Sequence, residues 1–352
     1  MTATIDHIPN RTIRLSGRDY VFFSGTAYLG MAQNPAFQAL VADALGRYGT
    51  VFGSSRNGNL QLGIYEAAEA RLADWTGSAS ALTVSSGMLA GQAVMQWLAS
   101  QNQPIFYGPG AHPALWHQQA ITIPALSFPD WAAQLPDALG QAAPGPVVLA
   151  MNALDAVRSE VYDFSWVTNL PANRPITLVV DDSHGLGVTG SDGGGVWASI
   201  PKRPHIRLIV TASLAKAMGL PGGIIFGDAD TVAAIRQTAF FGGCSPMSPV
   251  FLDAFLRAED LYRQARTLLA RNVALAEALL LPTGLFQQAP DYPVFYTDHD
   301  ALYPDLLKNG MFIYSFAYPT AADKANTRVV VSAFHEPTDI HHLANAIHEV
   351  LA

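Results

Sequence analysis

The chain has a single cysteine, Cys244, little charge and no long hydrophobic run. One cysteine excludes an internal disulfide and suits a reducing, cytoplasmic setting. Only 14% of the residues are charged and the net charge is −8, which argues against nucleic acid or an anionic membrane as the main partner. No uninterrupted apolar run approaches the ~18 residues of a membrane span, so none is expected. The opening "MTATIDHIPNRTIRL" lacks the basic and hydrophobic regions of a signal peptide. The ten histidines are scattered, and the adjacent pair His341–His342 falls in a late helical pattern. No metal-ligand spacing emerges from them, and no metal is expected. Apolar residues, by contrast, make up half of the 352. That is enough for two lobes and a large core, at about 150 residues per domain.

The elements alternate. "RDYVFFSG" reads as a strand and "NPAFQALVADALGRYG" as a helix with a glycine C-cap. "GIYEAAEARLADWTG" and "GMLAGQAVMQWLAS" read as further helices, with the strand "SALTVSS" between them. "PIFYG", "PVVLAM", "ITLVVDD" and "RLIVTAS" follow as short, almost wholly apolar strands. Such strands alternating with helices predict an α/β fold with a parallel, doubly wound sheet. After about Asp228 a long helical stretch, three strands and a final helix predict a smaller α+β domain. The expected division is an N-terminal segment 1–45, a large domain 46–230 and a small domain 231–352.

In such a sheet ligands gather at the carboxyl ends of strands. Three ends carry unusual residues: "TVSSGM", "LVVDDSHG" and "LIVTASLAK". "GLGVTG", at Gly185, Gly187 and Gly190, matches a dinucleotide fingerprint. It lacks the acidic residue expected about 20 positions on, and it does not come straight off a strand. "SLAK" matches a serine-nucleophile motif, without the companion elements of that class. A third reading uses all three ends. Lysine is scarce in this chain, yet Lys216 sits among alanines in a segment that reads as buried, as a lysine that bonds an aldehyde cofactor should. Pyridoxal phosphate also needs a carboxylate at its ring nitrogen, which Asp181 could supply. Its phosphate needs N–H groups at a helix start, which Ser86, Gly87 and Met88 could supply, with the Ser213 hydroxyl beside them. Each of these residues also has an ordinary reading, as a cap, a turn or a core histidine. Their joint order along one chain favours the cofactor.

These residues resemble a known family. "DDSHGLGVTG" resembles the D-[DE]-A-H-x-x-G-x-x-G stretch of the α-oxoamine synthases, and "TASLAKAMGLPGG" their T-x-S-K-A-x-G-x-x-G-G. "YLGMAQNP", "GTVFGSSR", "SSGMLAGQAV" and "TRVVVSAFH" extend the similarity over nearly the whole chain. The resemblance implies a fold-type I pyridoxal-phosphate enzyme with Lys216 as the covalent lysine and Asp181 at the ring nitrogen. It implies His184 near the phenolic oxygen and His112 stacked on the ring. Gly87, Met88 and Ser213 would hold the phosphate, and Ser245 would reach the phosphate of the neighbouring subunit of a homodimer. Arg328 would grip the substrate carboxylate. The implied reaction is a decarboxylative condensation of an amino acid with an acyl thioester to an α-amino ketone. A plain aminotransferase, or a protein of this fold without turnover, are the alternatives. The chain departs from the pattern at Gly25, Tyr65 and Met88, and most at "NALDAVRSEVYD", where E-G-x-x-S-M-D-G is expected.

Overall fold

The structure is a computed structural model that describes residues 4–317 and 325–351. The chain forms two compact units. The larger is Ala36–Leu154 with Tyr162–Glu259, and the smaller is Met1–Pro35, Asp155–Val161 and Asp260–Ala352. The sequence-based boundaries at 45 and 230 therefore differ from the division by packing. Helix Pro35–Tyr48 stays with the larger unit because Arg257 holds it, through the Asp43 carboxylate at 2.8 Å and the Leu40 carbonyl at 3.0 Å.

The larger unit is built on a six-stranded sheet, in the order Ser80–Val84, Gly223–Gly227, Ile206–Ser213, Ile176–Asp181, Val147–Asn152, Ile105–Tyr107. The last four strands run parallel. Their apolar runs, such as Val147 to Met151 and Leu178 to Val180, are buried, as both faces of a covered sheet require. The expectation of a parallel sheet holds for these four. Gly223–Gly227, however, runs antiparallel to both of its neighbours. Residues 214–222 are all that link it to the preceding strand, fewer than the roughly dozen a parallel crossover takes. That short link carries Lys216, so an antiparallel turn presents it at the end of the sheet.

The smaller unit has a five-stranded sheet ordered Thr12–Leu15, Arg18–Phe23, Met311–Ala317, Ala325–Val330, Val294–Thr297. Only the pairing of Arg18–Phe23 with Met311–Ala317 is parallel. The N-terminal residues, expected as a segment of their own, thus supply two strands to the C-terminal sheet. Buried Asn272 donates to the carbonyls of Ser332 and His335 at 3.0 and 2.8 Å. This fixes the turn that follows the strand carrying Arg328.

Candidate active site

The register of the parallel strands sets Asn152, Asp181 and Thr211 side by side at the sheet's carboxyl end. Asp181 is buried, and its Oδ1 accepts the Ser183 N–H at 2.9 Å. The Ser183 hydroxyl in turn accepts the Ser213 N–H at 2.8 Å. Ser213 Oγ accepts the N–H of Ala215 at 3.2 Å, one residue before Lys216. Two serines therefore couple the carboxylate's strand end to the lysine's loop. The sequence placed Lys216 in a buried segment, but the structure differs. Leu214, Ala217 and Met218 are buried, whereas Lys216 is half-buried and Ala215 exposed. The cause is that the strand ends at Ser213, so the loop turns over the sheet's rim and small Ala215 leaves an approach beside the amine.

Helix Gly87–Ala99 begins against the same loop. A Cβ on Gly87 would lie 2.5 Å from Ser213 Cβ, so only glycine brings the helix start this close. Gly223 is constrained likewise, its Cβ position lying 2.2 Å from the Ser86 carbonyl oxygen. Ser86 caps the helix: its Oγ accepts the Leu89 N–H at 3.2 Å and its carbonyl the Ala90 N–H at 3.0 Å. The N–H groups of Gly87 and Met88 are the remaining first-turn donors, next to the Ser213 hydroxyl and at the positive end of the helix. Ser86 thus shapes the cradle through its cap. Ser245 is exposed, on the segment 244–248. Tyr65, one of the departures, anchors that segment by donating its hydroxyl to the Met247 carbonyl at 2.7 Å. The Arg56 guanidinium lies 4.1 Å over the Tyr65 ring, and Arg56 is paired with buried Glu69.

His112 is half-buried, and its Nδ1 accepts the Ala114 N–H at 3.1 Å, so the neutral ring carries its proton on Nε2. Burial holds its pKa below the usual value; the Asp181 charge opposes this and the Lys216 charge adds to it. His112 therefore lies within the fields of both groups. His184 is half-buried in the turn after Asp181.

The structure also settles the glycine motif. Asp182 is fully buried, and a Cβ on Gly185 would lie 2.1 Å from its Oδ1, one on Gly195 2.2 Å from its Oδ2. Gly185, the first glycine of the motif, and Gly195, outside it, make room for a carboxyl group, whereas the Cβ position of Gly190 lies 2.3 Å from the Gly195 carbonyl oxygen. Oδ2 accepts the Val196 N–H at 2.7 Å, and Oδ1 has no hydrogen-bond partner among the described residues. Burial pushes the Asp182 pKa from 3.8 up to about 7. The folded chain thus keeps a proton that the unfolded chain releases, and stability falls as pH rises across that interval. Asp182→Asn preserves the acceptor for Val196 and removes the titration. Relative to the natural chain it should gain about 4 kcal/mol between acid and mildly alkaline pH. Denaturant unfolding across the pH range measures this, and a constant difference would contradict it.

In the smaller unit Arg328 is buried. Its Nη1 donates to the Ala156 carbonyl, and its guanidinium lies 4.0 Å from the centre of the Tyr314 ring. Among the described residues no carboxylate pairs with it, and its Nε has no partner. Ala156 belongs to the stretch where the sequence pattern breaks, and there the backbone, not a side chain, holds Arg328. Sequence reasoning missed Asn152, Asp182 and Ser183. The only signal was their position at or next to strand ends.

The donors fit pyridoxal phosphate: a glycine-opened helix start beside a hydroxyl, a buried carboxylate, and a lysine on an accessible turn. The fold is that of the fold-type I pyridoxal-phosphate transferases. A serine palmitoyltransferase of Sphingomonas wittichii superposes with a TM-score of 0.81 at 18% identity, covering 99% of this chain and 91% of that one. An 8-amino-7-oxononanoate synthase from Francisella tularensis superposes at 0.72 and 18% identity, covering 94% and 98%. A serine palmitoyltransferase from S. paucimobilis with bound PLP–myriocin reaches 0.81 at 19% identity, covering 99% and 93%. The model of the family "Aminotransferase class I and II" matches residues 19–347, and the chain belongs to that family. Among curated relatives, the 8-amino-7-oxononanoate synthase of Aromatoleum aromaticum is 28% identical over 357 residues, covering 96% of this chain and 91% of that protein. That of Cronobacter sakazakii is 28% identical over 355 residues, covering 97% and 92%.

Proposed function

We propose that the chain is a pyridoxal-phosphate enzyme that condenses an amino acid with an acyl thioester, releasing carbon dioxide and the thiol to leave an α-amino ketone. The observation that carries this is the convergence of Lys216, Asp181, His112 and the Gly87–Ser213 cradle at one sheet end. It is supported by relatives named 8-amino-7-oxononanoate synthase that match along almost the full chain. Bound there, pyridoxal phosphate would supply an electron sink for the α-carbon of the amino acid.

The protein's own groups do the rest. Lys216 holds the cofactor and afterwards moves the α-proton on its amine. Asp181 keeps a proton on the ring nitrogen by its negative charge. Gly87, Met88 and Ser213 hold the phosphate, and Ser86 contributes through the cap. His112 would cover the cofactor ring, and its Nε2–H or His184 would donate to developing negative charge. Arg328 takes the substrate carboxylate; what supports it is its own setting, a buried guanidinium with a carbonyl and a ring but no carboxylate partner among the described residues.

Ser245, exposed on its segment, is assigned to the phosphate of a second subunit, so the working form is a homodimer; sedimentation should find the mass of two chains. No helix among the described residues is long and apolar enough to cross a membrane, and the proposed location is the cytoplasm. The deciding experiment mixes the purified protein with each amino acid, with and without acyl-CoA. Thiol release that requires both substrates supports condensation. Amino-group transfer to a keto acid without any thioester would establish transamination instead. In the active pairing, Arg328→Lys should raise KM for the amino acid at least about tenfold, through loss of the bidentate grip.

A further inference from the structure

Asn152 ends the strand Val147–Asn152, and Asp181 is its partner in the parallel register. Its carboxamide makes two hydrogen bonds to one short loop. Oδ1 accepts the His112 N–H at 3.0 Å, and Nδ2 donates to the Gly110 carbonyl at 2.8 Å. Gly110 has a φ of 61°, a left-handed turn that glycine adopts without strain and that brings both backbone groups to one side chain. Only a side chain with a donor and an acceptor on one plane can serve both; a carboxylate accepts only and an ammonium donates only. Asn152 also begins "NALDAVRSEVYD", where the resemblance pattern has an acid. An ionised acid at this place could not bond Gly110, and it would set a second negative charge beside Asp181. The amide bonds Gly110 and adds no charge.

The clamped loop is the one that carries His112, whose own Nδ1 is already engaged by the Ala114 N–H. Backbone and ring are therefore both fixed, one by Asn152 and the other by the following turn. We propose that Asn152 is a positioning residue, its carboxamide clamping Gly110 and His112 so that the His112 ring keeps its place beside Asp181 and Lys216. The consequence for cofactor binding rests on the reading under Proposed function. The clamp itself does not.

The test compares the natural protein with Asn152→Ala and Asn152→Asp. Without added cofactor, the His112 amide of Asn152→Ala should exchange with solvent at least about tenfold faster. With pyridoxal phosphate, absorbance titration should show binding about tenfold weaker. Asn152→Asp keeps the acceptor, loses the donor and adds a charge, so the His112 ring should titrate at higher pH than in the natural protein. As its carboxyl takes up a proton the donor returns, and protection of the His112 amide should recover at low pH in Asn152→Asp but not in Asn152→Ala. A residue with a merely structural role would lower the melting temperature without the pH-dependent recovery of protection at the His112 amide. Unchanged exchange at His112 and unchanged cofactor affinity in Asn152→Ala overturn the proposal. If that variant does not fold, failure of His112 amide protection to recover at low pH in Asn152→Asp overturns it. If the natural protein binds no pyridoxal phosphate, the functional reading fails, while the exchange measurement still decides the clamp.

Discussion

Lys216→Ala is expected to abolish the visible absorbance of a lysine–pyridoxal linkage and to lower turnover by more than about 10⁴-fold, as loss of a covalent and proton-moving group does. The fold should survive. Lys216 lies on the turn 214–222, half-buried, and the residues that hold that turn are its apolar and small neighbours. Leu214, Ala217, Met218 and Leu220 are buried. The backbone of Leu214 bonds Gly222 at 2.9 Å and receives the Leu220 N–H at 2.9 Å. The alanine variant should therefore retain its melting temperature within a few degrees, while a free aldehyde cofactor still rests in the phosphate cradle and is washed out by dialysis. Persistence of the linkage absorbance in this variant would show that another amine holds the cofactor and that the site is misassigned.

Asp181→Asn is expected to lower kcat/KM by about 10²–10³-fold, the range for losing one preorganised electrostatic contact, while leaving the lysine linkage intact. The change is nearly isosteric. The oxygen that accepts the Ser183 N–H at 2.9 Å is kept, so the route through Ser183 to Ser213 is undisturbed. What disappears is the negative charge. Without it a bound pyridoxal ring would lack the charge proposed to hold a proton on its nitrogen, and so would draw electrons from the α-carbon less well. Cofactor absorbance compared with steady-state rates separates the two effects: binding near that of the natural protein and slow turnover are expected together. A variant with normal turnover would remove Asp181 from the chemistry.

Asp182→Asn makes a useful contrast, because these adjacent acids do different work. Asp181 faces the end of the sheet with a bonded oxygen, whereas Asp182 points into the space made by Gly185 and Gly195. The first should alter rate, the second the pH dependence of stability. Side-chain direction decides, since neighbours leaving one strand end are turned to opposite sides.

Much of the larger unit could be read in advance, because its causes are local. Apolar runs of strand length, glycines after helices and the Ser–Gly pair before Met88 each speak through neighbours in sequence. The positions of Lys216 and Asp181 at the sheet's carboxyl end were also legible, since a charge among alanines and an acid ending an apolar run are both out of keeping with their surroundings. Asn152 and Ser183 carry no such mark. Their partners, Gly110, His112 and Ser213, lie about 30 to 42 positions away, and the register of the four parallel strands is what makes them neighbours. The G-x-G-x-x-G spacing shows the reverse: a motif visible in sequence whose first glycine answers to the Asp182 carboxyl and whose third answers to the Gly195 backbone, causes visible only in three dimensions.

By itself the sequence determined the alternation of elements, the apolar sheet, and the lysine and carboxylate at its carboxyl end, because periodicity and composition act over a few residues. The tertiary structure decided that strand Gly223–Gly227 runs antiparallel, that the N-terminal strands join the C-terminal sheet, and that Lys216 is half-buried and approachable. It also brought Asn152 against Gly110 and His112, and Ser183 against Ser213. Those outcomes depend on link length, register and close contact between distant segments, which no local pattern encodes.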